Sequence, residues 1–131
     1  MKLDPAGQLY RMFASLQEKM ASSLHVGFPC KVISFDAVKL TADVQPLVRT
    51  TTDVPAMLQG VPVLGQRLMV DGGIPQVYKP ELRKDDVVFV VCADREIKNV
   101  LNGSIASTDT GRQHDPNDAV IVGVFGCSLS D

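Results

Sequence analysis

The chain changes its hydrophobic period once. From Leu9 to Leu24, apolar residues recur every three or four positions, at Leu9, Met12, Phe13, Leu16, Met20 and Leu24, while Gln8, Arg11, Gln17, Glu18 and Lys19 fill the other side. That spacing predicts an amphipathic helix. Asp4 is placed to cap it, and Pro5 suits the first helical position, where a missing N–H costs nothing. The stripe is rich in Met and Phe and precedes a β region. Two destinations are open to it: the core of its own domain, or a neighbouring subunit or partner protein, contacted through Leu9, Met12, Phe13, Leu16 and Met20.

From His25 onward the period is two. Val26, Phe28, Cys30 and Val32 fall on one side of a first strand, and Lys31, Ile33 and Phe35 on the other. Asp36-Ala37 reads as a tight turn into a second strand, where Val38, Leu40, Ala42 and Val44 alternate with Lys39, Thr41, Asp43 and Gln45. Pro46 cannot donate to a ladder and marks a bulge or an edge. Met57 to Met69 carries a further strand signal, with Val61, Val63 and Leu68 as core positions. Asp71-Gly72-Gly73 is a turn, and Ile74 to Pro80 is extended. Val87 to Ala93 has no polar interruption, as in a strand covered on both faces. Arg95 to Leu101 reads as a short helix capped by Asp94 and stopped by Asn102-Gly103. Ser104 to Asp118 is a long polar loop, and Ala119 to Phe125 is the last strand. The pattern predicts a mainly β fold. It is a small five-stranded OB-like barrel with an N-terminal amphipathic helix and a short helix before the last strand. The expected segments are the helix at 1–24, the barrel domain at 25–126 and a polar tail at 127–131.

Composition narrows the function classes. Hydrophobic residues at 45% against 21% charged favour a packed core over disorder. A net charge of -2 provides no domain-wide positive field for phosphates, which disfavours non-specific nucleic-acid binding. Cys30, Cys92 and Cys127 are odd in number, widely spaced and set in apolar runs. They read as small buried hydrophobes of a protein folded in a reducing cytoplasm. No apolar stretch is long enough to cross a bilayer, and the opening residues lack the apolar core of a signal peptide.

The polar motifs read as structural. Arg112, His114, Asp115 and Asp118 form a hydrogen-bonded loop in which Asp115 and Asn117 cap turns around Pro116. No nucleophile is paired with a base, and Asp43, Asp53 and Asp71 lack calcium-loop spacing. The expectation is a non-enzyme with no catalytic residues, no metal and no cofactor. A single-stranded nucleic-acid-binding OB protein is the alternative, since such proteins stack bases on aromatics in a basic groove. Here aromatics are 5% with no tryptophan, and Phe28, Phe35, Phe89 and Phe125 are expected in the core. A cell-wall glycosidase would need two carboxylates facing a cleft, and no separate domain is present to form one.

Four stretches carry a family resemblance: Val32 to Asp36 leading into Ala42 to Pro46, Gly60 to Val63, Lys84 to Ile97, and Arg112 to Ala119. In this order and spacing the chain resembles the N-terminal OB-fold domain of bacteriophage baseplate central-spike proteins, the membrane-piercing needles of contractile tails. The resemblance runs from about Val26 to Gly126. It departs at Asp85, where the family has glycine, and it lacks the His-x-His tip motif, having only His25 and His114. The family continues into a trimeric β-helical needle; this chain is expected to supply the barrel without it. The resemblance implies a structural component of a phage tail tip or baseplate, a hub or spike-base adaptor. It also implies a homotrimer that contacts tail hub and spike or tip proteins of the same virion. No nucleic acid and no stable membrane insertion are expected. The implied location is the virion, after assembly in the host bacterial cytoplasm.

Overall fold

The Asp4 carboxylate accepts the Gly7 N–H at 3.0 Å, and Pro5 occupies the first turn, so the predicted cap forms. In the computed structural model, which describes residues 4–130, helix α1 then runs Pro5–Ser23. The outer ends of the expected helical segment and tail, Met1–Leu3 and Asp131, lie outside the described residues. Leu24 ends α1 in extended conformation, and three residues later the first strand begins.

The strands are β1 (Gly27–Asp36), β2 (Thr41–Pro46), β3 (Leu58–Pro62), β4 (Gln66–Leu68), β5 (Gln76–Tyr78), β6 (Val87–Cys92) and β7 (Ala119–Val124). Five of them form one antiparallel sheet in the order β3-β2-β1-β6-β7. The sheet curls until its edges meet: Val63 and Ile121 form a parallel bridge, and the Leu64 N–H donates to the Ile121 carbonyl at 3.2 Å. This is the predicted five-stranded OB-like architecture. The β4–β5 pair stands apart as a two-stranded hairpin inserted between β3 and β6. Its turn has positive φ at Asp71 and Gly72, with Gly73 N–H on the Val70 carbonyl, the geometry favoured by right-twisted hairpins.

Curling comes from bulges, each an extra residue that bends its strand and increases local twist. The ladders shift at Val32/Ser34 on β1, at Ala42/Val44 between β2 and β3, and at Phe89/Val90 between β6 and β7. Asp43 fixes two of them. Its carboxylate accepts the Ser34 hydroxyl at 3.1 Å and the Gly60 N–H at 2.9 Å. Gly60 has φ of 64°, a conformation open to glycine at little cost.

The core lies inside the cylinder. Cys30 and Val32 of β1, Val44 of β2, Val88 and Val90 of β6 and Ile121 of β7 are fully shielded from solvent, closed off by Ala42, Val61, Cys92, Ala119 and Leu82. Phe28, Phe35 and Val63 pack against this cluster.

Several expectations change. The β1–β2 connection is longer than Asp36-Ala37. The Asp36 carboxylate accepts the N–H groups of Val38 and Lys39, and Leu40 adopts φ of 55°. Val38 therefore sits in the turn, 93% exposed, and not in a buried strand face. Leu68 lies on the exposed hairpin and Cys127 is exposed in a short 3-10 turn, Gly126–Ser128. Phe125 is also exposed, and it packs edge-to-face on Phe89 with ring centroids 6.1 Å apart, outside the main core. Arg95 to Leu101 forms turns, closed by Val100 N–H on Ile97 O and Gly103 N–H on Val100 O. The helix before the last strand is instead the single 3-10 turn Pro116–Asp118.

Candidate functional site

The five residues predicted to make contacts, Leu9, Met12, Phe13, Leu16 and Met20, come together on one side of α1, as their spacing dictates. No residue of α1 is buried. Exposure along the stripe runs from 47% at Leu16 to 65% at Met20. Of the two destinations the sequence leaves open, the core of its own domain is not the one occupied here.

A groove of about 420 Å³ opens where α1 meets the barrel. One wall is Leu24 to Phe28, the other the irregular connection from the end of β2 to the start of β3, with Pro46, Val48, Val54 and Leu58. Gln45 shapes this segment by donating its side-chain amide to the carbonyls of Pro46 (3.1 Å) and Pro55 (2.7 Å). The lining is mostly apolar, with Asp53 as its one carboxylate. The connection from α1 is held on both sides: His25 N–H donates to the His114 carbonyl at 3.0 Å, and Cys92 N–H to the Val26 carbonyl at 2.9 Å. The sequence shows this groove only indirectly, because its two walls lie about 20 residues apart in the chain and no local period records that they meet.

The loop between β6 and β7 is organised around two buried acids. Asp118 receives Arg112 through two parallel bonds, Nε to Oδ2 at 2.7 Å and Nη2 to Oδ1 at 2.9 Å, and also the Ile97 N–H at 3.3 Å. Glu96 accepts the Thr110 hydroxyl at 2.6 Å and the Asp109 N–H at 3.2 Å, with Arg112 at 3.5 Å and Lys98 at 3.8 Å. Lys98 also pairs with Asp109 at 2.8 Å. The hydrogen bond from Thr110 holds the Glu96 carboxyl below its usual range, and the bonds from Arg112 do the same for Asp118. These acids are ionised and neutralised in place. Asp115 accepts both the backbone and side-chain N–H groups of Asn117 at 2.8 Å, as the turn around Pro116 predicts. Glu96 falls in the segment expected to be a short helix and is instead the centre of this cluster. Its partners lie up to 16 residues away, so local spacing carries no sign of them.

Burial pushes the Cys30 thiol up to about 12 and the Cys92 thiol up to about 11, which keeps both protonated and unreactive at neutral pH. Among the described residues, no group of three or more His, Cys, Asp or Glu side chains could hold a metal ion, and no helix is long and apolar enough to cross a membrane.

Comparison with protein families matches residues 28–123 to the model described as phage protein Gp138 N-terminal domain. No curated protein matches the chain.

Proposed function

Because the chain belongs to the phage protein Gp138 N-terminal domain family, we propose that it is a structural part of a phage tail tip or baseplate, an adaptor joining tail hub to spike. The observation that carries this reading is the uncovered apolar stripe of α1 beside a barrel whose own core is complete. A helix that leaves half of six large side chains in water is supported by a contact with another chain. The barrel adds an apolar outer surface, where Val91, Val122 and Phe125 are exposed around Phe89. The working assembly is a homotrimer on the tail axis, flanked by hub and tip proteins and acting mechanically. The role is non-enzymatic. Both buried carboxylates are tied to Arg112, so neither is presented as an acid or base.

Light scattering of the purified protein, with a fluorescent single-stranded DNA titration of the same sample, tests the proposal. The expected result is a trimer that leaves the DNA signal unchanged. A monomer that binds DNA with a steep salt dependence overturns it in favour of a nucleic-acid-binding barrel.

A further inference from the structure

Two apolar features of this chain are uncovered at once, and they are complementary. The first is the α1 stripe. Met12, Leu16 and Met20 stand at i, i+4 and i+8, one row of knobs along the helix. The second is the groove between Leu24–Phe28 and the segment after β2. Its volume of about 420 Å³ accommodates roughly three large apolar side chains at interior packing density. The charges correspond too. Lys19, seven residues and so nearly two turns after Met12, stands at the edge of the polar side next to the stripe, and Asp53 is the carboxylate in the groove lining.

The helix cannot fill the groove of its own chain by folding back. Leu24, His25 and Val26 already form one wall of it. His25 N–H is bonded to the His114 carbonyl, and the Val26 carbonyl is bonded to Cys92 N–H. These bonds align the connection with β1 and leave no free residues in which to reverse. The α1 helix therefore runs out from the rim, where Leu24 lines the groove, and leaves Met12, Leu16 and Met20 uncovered.

We propose that the α1 stripe of one copy seats in the Leu24–Leu58 groove of a second copy, with Met12, Leu16 and Met20 as the inserted row and Lys19 facing Asp53. The inference rests on the self-association in the reading above and names the surfaces that make it. A helix entering the groove of the next copy is a head-to-tail contact, which closes into a ring when the rotation permits.

Two variants test it by complementation. Phe13→Asp with Leu16→Asp disables the stripe and leaves the groove intact; Val54→Asp disables the groove and leaves the stripe intact. All three positions are exposed in the single chain, so each variant is expected to keep the wild-type melting profile by circular dichroism. By light scattering each variant alone is expected to be monomeric, its self-association weakened by about tenfold or more. An equimolar mixture is expected to form a one-to-one complex, using the intact stripe of one and the intact groove of the other. In a separate pair, Lys19→Glu weakens assembly and Asp53→Lys added to it restores assembly. If both variants keep the wild-type mass, or dissociate without complementing each other, the inference is overturned while self-association stands. If the wild-type protein is itself monomeric, both the inference and the trimer reading fall.

Discussion

Glu96 and Asp118 illustrate how polar residues become structural when a loop folds over them. Each is almost wholly buried, and each is satisfied by partners that neutralise it. Thr110 and then the Asp109 N–H, Arg112 and Lys98 lower the Glu96 value; Arg112 and then Ile97 N–H lower that of Asp118. A folded-state value below the unfolded one means that ionisation favours the fold. The contribution is complete above the unfolded values, about 4 for both acids. It is lost as the pH falls through the depressed folded values. The urea midpoint is therefore expected to stay level from neutral pH to about 5 and to fall below that. Glu96→Gln and Asp118→Asn are each expected to lower the midpoint at pH 7 and to flatten the acid fall. Urea titrations at a series of pH values read both effects.

At the scale of elements, legibility follows the range of the forces that fix each one. The α1 cap and the β1 and β7 alternation are visible in the sequence because local signals and geometry agree there, whereas the unbroken β6 run reads as covered on both faces and buries only Val88, Val90 and Cys92, with Val91 exposed. Arg95–Leu101 is misread because contacts with distant positions override its local preference. Asp118 takes the Ile97 N–H, and Glu96 turns inward to the 109–112 segment. Val38 is misplaced for a related reason, since the Asp36 carboxylate lengthens the turn by binding two N–H groups. The α1 stripe is legible as a set of residues on one side of a helix, but the groove depends on how Leu24–Phe28 and the distant 46–58 segment are brought together. Within β7 the alternation sets opposite costs for neighbours. Ile121→Ala removes a fully buried side chain and is expected to cost about 2–5 kcal/mol in urea denaturation. Val122→Ala, one position along on the solvent side, is expected to stay within about 0.5 kcal/mol of wild type in the single chain.

For the molecule as a whole, the buried core is drawn from the β region and α1 adds no residue to it. The β region is therefore expected to stay folded when the exposed apolar residues of α1 are made polar. The cylinder is not equally strong all round, however. Four of its five junctions are ladders of several residue pairs, whereas β3 and β7 meet at the one bridge between Val63 and Ile121. Local openings follow the least supported hydrogen bonds. In amide exchange followed by mass spectrometry, the Leu64 N–H is expected to trade its proton sooner than the β1 amides bonded to β6. Uniform protection around the wall would contradict this. A cylinder with one such clasp has a preferred place to unfasten, and anything bound across that join would hold the wall shut.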